Sequence, residues 1–191
     1  MITRQADGPP PGKRFLIGAC GAAAVTMLPR YVNTLRERFG GRFTVLMTHT
    51  ATEFLPSHTV ALFADRVVSG NSPADPAAEN QARLVAEHDL LVVLPATANT
   101  LADAATGSAP NRLAAVILAA DFPVVFFPVM HRDLWRRPSV ARDVARLRAD
   151  GFHVNDPVRA DRPAAGLRTV VRDPALPPPP RVAEVVAGLM R

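Results

Sequence analysis

Four short apolar runs limit what this chain can fold into. They are RFLIGAC (14–20), FTVLMT (43–48), DLLVVL (89–94) and FPVVFFP (122–128). Each is apolar almost without interruption, with no polar residue at every second place. A strand of that kind is buried on both faces, which is the condition of a parallel sheet covered by helices on each side. The intervening segments supply the helices. Val25, Leu28, Val32, Leu35 and Phe39 stand at helical spacing, with Pro29 either kinking that helix or marking its first turn, and Gly40-Gly41 stops it. A short helical region spans 52–64, a loop 67–76 and a helix 77–88. Residues 101–120 read as two helical pieces broken at TGSAPN, and 139–151 as an amphipathic helix with Val140, Val144 and Leu147 inward. FHVND (152–156) reads as a short fifth strand. Strand and helix alternate throughout, so the fold class expected is α/β: a single-domain, doubly wound, Rossmann- or flavodoxin-like parallel sheet with helices on both faces. The domain runs from 14 to 191, behind a flexible polar arm at 1–13.

Composition narrows the function classes. Apolar residues make up 48% of the 191, enough for one full core. No apolar stretch reaches the roughly 18 residues of a membrane helix, and the N-terminus lacks the apolar centre of a secretory signal. With a lone cysteine, Cys20, no internal disulfide forms, and a reducing cytoplasm is the expected setting. The net charge is +5, but the arginines are spread along helices and tail with few polar aromatic rings between them. That argues against nucleic acid and for a solvated face or a site for an anionic group.

In doubly wound folds, ligands bind at the carboxyl ends of the strands. Those ends here are GACGAAA (18–24), MTHTATEF (47–54), LPATANT (94–100) and FPVMHRDLW (127–135). The first is small enough for backbone N–H groups to approach an anion, although tight strand-to-helix packing explains it as well. The second brings hydroxyls at Thr48, Thr50 and Thr52, suited to a helix cap or a phosphate. The third supplies hydroxyls, an amide and exposed backbone, more than one helix cap requires. No metal site is expected.

Together these segments resemble a known family. LPATANT is similar to the PASANT motif of the homo-oligomeric flavin-containing cysteine decarboxylases, and PVMHRDLW to their PxMNxxMW motif. The chain most resembles the epidermin-type peptidyl-cysteine decarboxylases of lanthipeptide biosynthesis, over about residues 14–157. The resemblance implies FMN, with FAD as the alternative, bound between protomers of a trimer-based homo-oligomer, up to a dodecamer. It implies oxidative decarboxylation of the C-terminal cysteine of a ribosomally made precursor peptide, leaving an enethiol for aminovinyl-cysteine formation. It also implies a site. Gly18, Ala19, Cys20, Gly21, Thr48, Thr50 and Phe54 would hold phosphate and ring, and Ala96, Thr97, Ala98 and Asn99 would line the flavin. Asn80, Met130, His131 and Trp135 would face the substrate, with His131, Gln81 and Asn99 catalytic.

The chain departs from that family at two places. The family histidine fourteen residues before the first proline of PASANT is here Gln81, which can orient a thiol but cannot take its proton. His131 stands where the second motif has asparagine. A histidine lost and one gained reads as compensation, or as a flavin-binding partner or regulatory subunit without the chemistry. As a base, His131 would accept the thiol proton that Gln81 cannot take. The coenzyme A pathway decarboxylases share both motifs but use a cysteine in a C-terminal flap. No cysteine follows position 20, so a phosphopantothenoylcysteine decarboxylase is the weaker alternative and Cys20 a small packed residue. His58, His88 and His153 have ordinary structural readings, and His49 lies near the expected phosphate segment. Arg132, Arg136 and Arg137 flank the substrate motif, suited to a peptide carboxylate. The Pro/Arg/Asp-rich stretch at 157–177 falls where the family has its substrate clamp. It has little periodicity and is expected to order only on peptide. A helix at 181–191 closes the chain.

Overall fold

The computed structural model describes residues 12–69, 81–163 and 170–190. Six strands, β1 (Arg14–Ala19), β2 (Arg42–Met47), β3 (Arg66–Ser69), β4 (Leu90–Ala96), β5 (Val124–Pro128) and β6 (His153–Val154), form one sheet. Its order is β3-β2-β1-β4-β5-β6, and every neighbouring pair is parallel. The chain winds outward through β2 and β3, then crosses β1 to begin the other half at β4. That reversal opens a crevice beyond the carboxyl ends of β1 and β4. The helices are α1 (Leu28–Phe39), α2 (His49–Phe54), α3 (Ser57–Val60), α4 (Gln81–Ala86), α5 (Ala98–Thr106), α6 (Arg112–Ala119), α7 (Arg132–Trp135), α8 (Pro138–Ala149) and α9 (Pro179–Leu189). A separate antiparallel hairpin pairs β7 (Val158–Pro163) with β8 (Val170–Ala175).

Period-two side chains explain the two layers. Phe15, Ile17, Phe43, Val45, Val92 and Phe127 share one buried cluster with Leu28, Val32 and Leu35 of α1 and Val182 and Val186 of α9. Leu16, Leu46, Leu91, Val93 and Phe126 share the other with side chains of α4, α5, α6 and α8. Continuous apolar strands are thus what two covered faces require, and the doubly wound sheet is the one expected from the sequence. Phe15 and Phe43 stack across β1 and β2, with centroids 4.7 Å apart and planes 4° from parallel. Val140, Val144 and Leu147 of α8 point inward as their spacing predicts.

Four local readings are corrected. Pro29 stands in the first turn of α1, and a 3-10 turn at Ala23–Met27 precedes it where the spacing from Val25 to Phe39 suggested one helix. Gly40 (φ 59°) and Gly41 (φ 81°) then take backbone angles costly for other residues, which ends α1. The region 52–64 is two helices, α2 and α3, with α2 starting at His49. Residues 67–69, read as the start of a loop, belong to the edge strand β3; four residues beside β2 are too few to show a period. The stretch 157–177, read as irregular for want of periodicity, contains β7 and β8, whose cross-strand hydrogen bonds satisfy its backbone. The arm at residues 1–11, the loop and helix starts at 70–80 and part of the clamp at 164–169 lie outside the described residues.

The stacked pair carries a checkable cost. Removing a fully buried phenylalanine costs about 3–5 kcal/mol. Phe43→Ala is expected to lower unfolding free energy by that amount in urea titrations of the holoprotein, with the sheet retained by circular dichroism.

Candidate active site

Three backbone hydrogen bonds tie the strand ends together. Thr48 N donates to Ala19 O at 3.0 Å, Cys20 N to Pro95 O at 3.3 Å and Val129 N to Ala96 O at 2.9 Å. The segments leaving β2, β1, β4 and β5 are therefore fixed side by side. They enclose a cavity of about 490 Å³, within the range of roughly 300–1,000 Å³ typical of ligand pockets. Its wall holds Cys20, Gly21 and Ala22 after β1, Thr48 and Thr50 after β2, Thr97, Ala98, Asn99 and Thr100 after β4, and Val129, Met130 and Leu134 after β5.

Each segment is held by local chemistry. Gly21 is required by proximity: a Cβ there would lie 2.5 Å from Cβ and Cγ2 of Thr50. The Thr48 hydroxyl caps α2 by accepting from Ala51 N at 3.3 Å, and the Thr97 hydroxyl caps α5 by accepting from Thr100 N at 3.3 Å. Thr97 and Thr100 hydroxyls lie 3.0 Å apart, and the Thr100 hydroxyl donates to Cys20 Sγ at 3.1 Å. A chain of donors therefore ends on the thiol. Burial pushes the Cys20 thiol up to about 11, against the hydrogen bond from Thr100, so it stays protonated at neutral pH. The wall is thus uncharged apart from Asp103, one turn beyond Asn99 on α5. Asn99 itself is exposed into the cavity and makes no hydrogen bond among the described residues.

Of the residues named from sequence, Cys20, Gly21, Thr48, Thr50, Thr97, Ala98, Asn99 and Met130 meet in this wall. The others do not. Gly18 lies within β1, where a Cβ would come 2.7 Å from Leu113 Cδ1, so its smallness serves helix packing. Ala19 and Ala96 are fully buried strand ends, and Phe54 is 47% exposed outside the cavity. Gln81 is exposed at the first turn of α4, and Asn80 lies outside the described residues. Trp135 is half-buried against the core beside α8. His131 caps α7, its Nδ1 accepting from Asp133 N at 3.3 Å, and is 46% exposed. Sequence reading missed Asp103, Pro110, Asn111, Val129 and Leu134. Asp103 was detectable, because i and i+4 share a helix face and Asn99 was already singled out. The break TGSAPN also carried a signal, since Asn111 caps α6 there, accepting from Ala114 N at 3.0 Å.

Comparison with known proteins identifies the family. The Flavoprotein family model matches residues 4–172. Mersacidin decarboxylase of Bacillus sp. (strain HIL-Y85/54728) is 34% identical over 146 residues, 76% of this chain and 74% of that protein. The solved structure of MrsD from the same strain superposes with a TM-score of 0.80 at 28% identity, covering 94% of this chain and 96% of that one. The FMN-dependent cysteine decarboxylase SpaF superposes with a TM-score of 0.75 at 26% identity, covering 94% and 98%. The bifunctional coenzyme A biosynthesis protein CoaBC of Mycobacterium bovis is 35% identical over 145 residues, 76% of this chain but 34% of that protein. The chain therefore spans about a third of the CoaBC relative. It belongs to the Flavoprotein family, and the resemblance read from LPATANT and PVMHRDLW is borne out. No helix among the described residues is long and apolar enough to cross a membrane.

Two outcomes are expected from this wall. Iodoacetamide at pH 8 should label Cys20 only as the protein unfolds, which mass spectrometry of native and urea-treated samples reads directly; rapid native labelling would contradict the donor chain. Gly21→Ala should push the β1 and β2 segments apart. Overpacking costs about 1–3 kcal/mol, so flavin binding, followed by fluorescence quenching, should weaken roughly tenfold or more, with partial relief in Gly21→Ala/Thr50→Gly relative to Thr50→Gly.

Proposed function

We propose that this member of the Flavoprotein family is an FMN-dependent decarboxylase acting on the C-terminal cysteine of a peptide. The observation that carries the reading is the cavity at the β1/β4 crevice, whose two ends suit the two ends of FMN. Glycine backbone and the hydroxyls of Thr48 and Thr50 offer hydrogen bonds to a phosphate. Ala98, Val129, Met130 and Leu134 offer an apolar surface to a flat ring, with the Asn99 amide at its edge. The mersacidin decarboxylase and SpaF relatives support both the cofactor and the reaction class. In the proposed assembly, protomers of a trimer-based oligomer complete the open side of the cavity.

When bound, FMN supplies a two-electron oxidant that takes two hydrogens from the Cβ–SH unit of the cysteine, leaving a thioaldehyde. The chain's own residues orient and move protons around that step. A cysteine thiol has an unperturbed pKa of about 8.5, so a base near it raises the reactive fraction. His131 is that base, at the head of α7 beside the cavity wall that Met130 and Leu134 form. Asn99 holds the peptide carboxylate or its amide through its free side-chain dipole. The exposed Arg132, Arg136 and Arg137 draw the anionic terminus toward the mouth. The thioaldehyde then accepts the electron pair released as the Cα–carboxylate bond breaks, so CO2 leaves and an enethiolate remains, which a proton completes.

Two other readings have specific support. Gln81 stands away from the cavity wall in place of the family histidine, which favours a flavin-binding partner that has lost turnover. The CoaBC relative favours a pantothenoylcysteine substrate, but that branch needs a flap cysteine and β7 and β8 contain none. The test is mass spectrometry of a C-terminal-cysteine peptide incubated with holoprotein in air, beside 4′-phosphopantothenoylcysteine. Loss of CO2 and two hydrogens from the peptide supports the proposal; loss from the pantothenoyl compound alone, or from neither, overturns it. His131→Asn should then lower kcat by about a hundredfold, within the usual range for a general base, with bound flavin unchanged. Gln81→His added to that variant should restore part of the loss; full activity of His131→Asn would exclude it as the base.

A further inference from the structure

Asp173, in β8, is fully buried although the segment around it is rich in charge and proline. An ionised carboxylate is costly to bury unless it is paired and hydrogen-bonded. Two of its contacts reach the start of α7. Its Oδ1 accepts from the Arg132 backbone N–H at 3.2 Å, and the same oxygen lies 4.0 Å from His131 Nε2. The other ring nitrogen, Nδ1, faces Asp133, whose backbone N–H donates to it and whose carboxylate is 3.3 Å away. The imidazole is therefore bracketed by two carboxylates. Asp133 belongs to α7 and stays with the ring whatever the hairpin does; Asp173 arrives only with the hairpin.

With Nδ1 accepting from a backbone N–H, neutral His131 carries its proton on Nε2, the nitrogen 4.0 Å from Asp173, so Nδ1 must release the Asp133 N–H to take a thiol proton. At 4.0 Å the attraction is electrostatic, longer than a direct hydrogen bond. It still breaks the ring's symmetry: one edge is held by α7, the other is drawn to the hairpin. Were β8 to lift away, the Arg132 N–H would lose this acceptor and the ring would keep Asp133 alone. Leu134 of the same short helix is part of the cavity wall, so a shift of α7 reaches the cavity as well.

We propose that Asp173 is a positioning residue for His131, and that docking of the β7–β8 hairpin on α7 sets the orientation of that ring at the cavity mouth. The functional half of this inference rests on His131 serving as the base; the structural half does not.

The test uses the flavin-loaded full chain with isotopically labelled histidine, the His131 ring signals being assigned by their loss in His131→Asn. Asp173→Asn keeps the shape and removes the charge. It should move the His131 ring nitrogen shifts at fixed pH and leave bound flavin unchanged. It should lower kcat on a C-terminal-cysteine peptide about tenfold, as expected for a misplaced catalytic group, while KM changes less than twofold. In the His131→Asn background it should cause no further loss of kcat. A merely structural role would instead multiply the two losses. Ring shifts that stay in place, or losses that multiply, overturn the proposal. If wild-type protein turns over no peptide, the functional reading fails, and the ring shifts alone decide whether Asp173 positions His131. Should Asp173→Asn fail to fold, Arg132→Pro removes the N–H donor at a helix position that tolerates proline. Relative to Arg132→Ala, it should speed hydrogen exchange in 158–163 and 170–175 and move the same ring signals; unchanged exchange and shifts refute the docking contact.

Discussion

β1 pairs in parallel with β2 on one side and with β4 on the other, and the direction in which the chain winds reverses between those pairings. The cavity is a consequence of that reversal. Helices that follow β1 and β4 leave toward opposite faces, as the two buried clusters record. The cavity lies between their starts. The backbone bonds from Cys20 to Pro95 and from Thr48 to Ala19 then fix the width of the gap. A site made this way needs no dedicated domain, only strand ends that are small enough to approach one another. Gly21 against Thr50 is where that requirement is most severe.

The wall's chemistry follows from its near lack of charge. Four threonines and a protonated thiol supply dipoles, and two of the threonine hydroxyls are already used as helix caps. Such groups bind a ligand by directed hydrogen bonds and leave its charge to the helix starts and the surrounding field. The arginines near α7 lie outside the wall. This separation suits a bound cofactor inside and an anionic peptide end arriving from solvent. The same logic makes Cys20 a poor nucleophile: its donor from Thr100 offsets only part of its burial, and the thiol stays protonated.

How much of this was legible depended on whether a local pattern carried the information. Strands such as LLVVL announce burial on both faces by themselves, so the doubly wound sheet followed from composition and order. LPATANT and the small residues after β1 were legible for the same reason, since strand ends in this architecture face the ligand. Gly18 shows that smallness at a strand end has two causes: there it admits Leu113, and no sequence pattern distinguishes that from admitting a cofactor. β3 is a short edge strand whose pairing with β2 is non-local. β7 and β8 read as irregular because their stability comes from cross-strand pairing and from contacts to α7, neither of which has a period in the chain.

His131 shows where sequence and structure have to be read together. By motif it belongs to the substrate side, and by position it sits at the rim, half-exposed, with its cap on α7 rather than in the cavity wall. A residue so placed has little packing to hold it. Its orientation must come from charged neighbours, and one of those is supplied by a hairpin more than forty residues further along the chain. The buried Asp173 accepts from the Arg132 N–H at the start of α7, and α7 is one turn long, too short to hold its own geometry without outside contacts. Each element is therefore incomplete without the other: the hairpin gains a place to put its carboxylate, and the short helix gains an acceptor for its first N–H. In that mutual dependence, a stretch with no apolar face of its own reaches the cavity through α7, whose Leu134 is part of the wall.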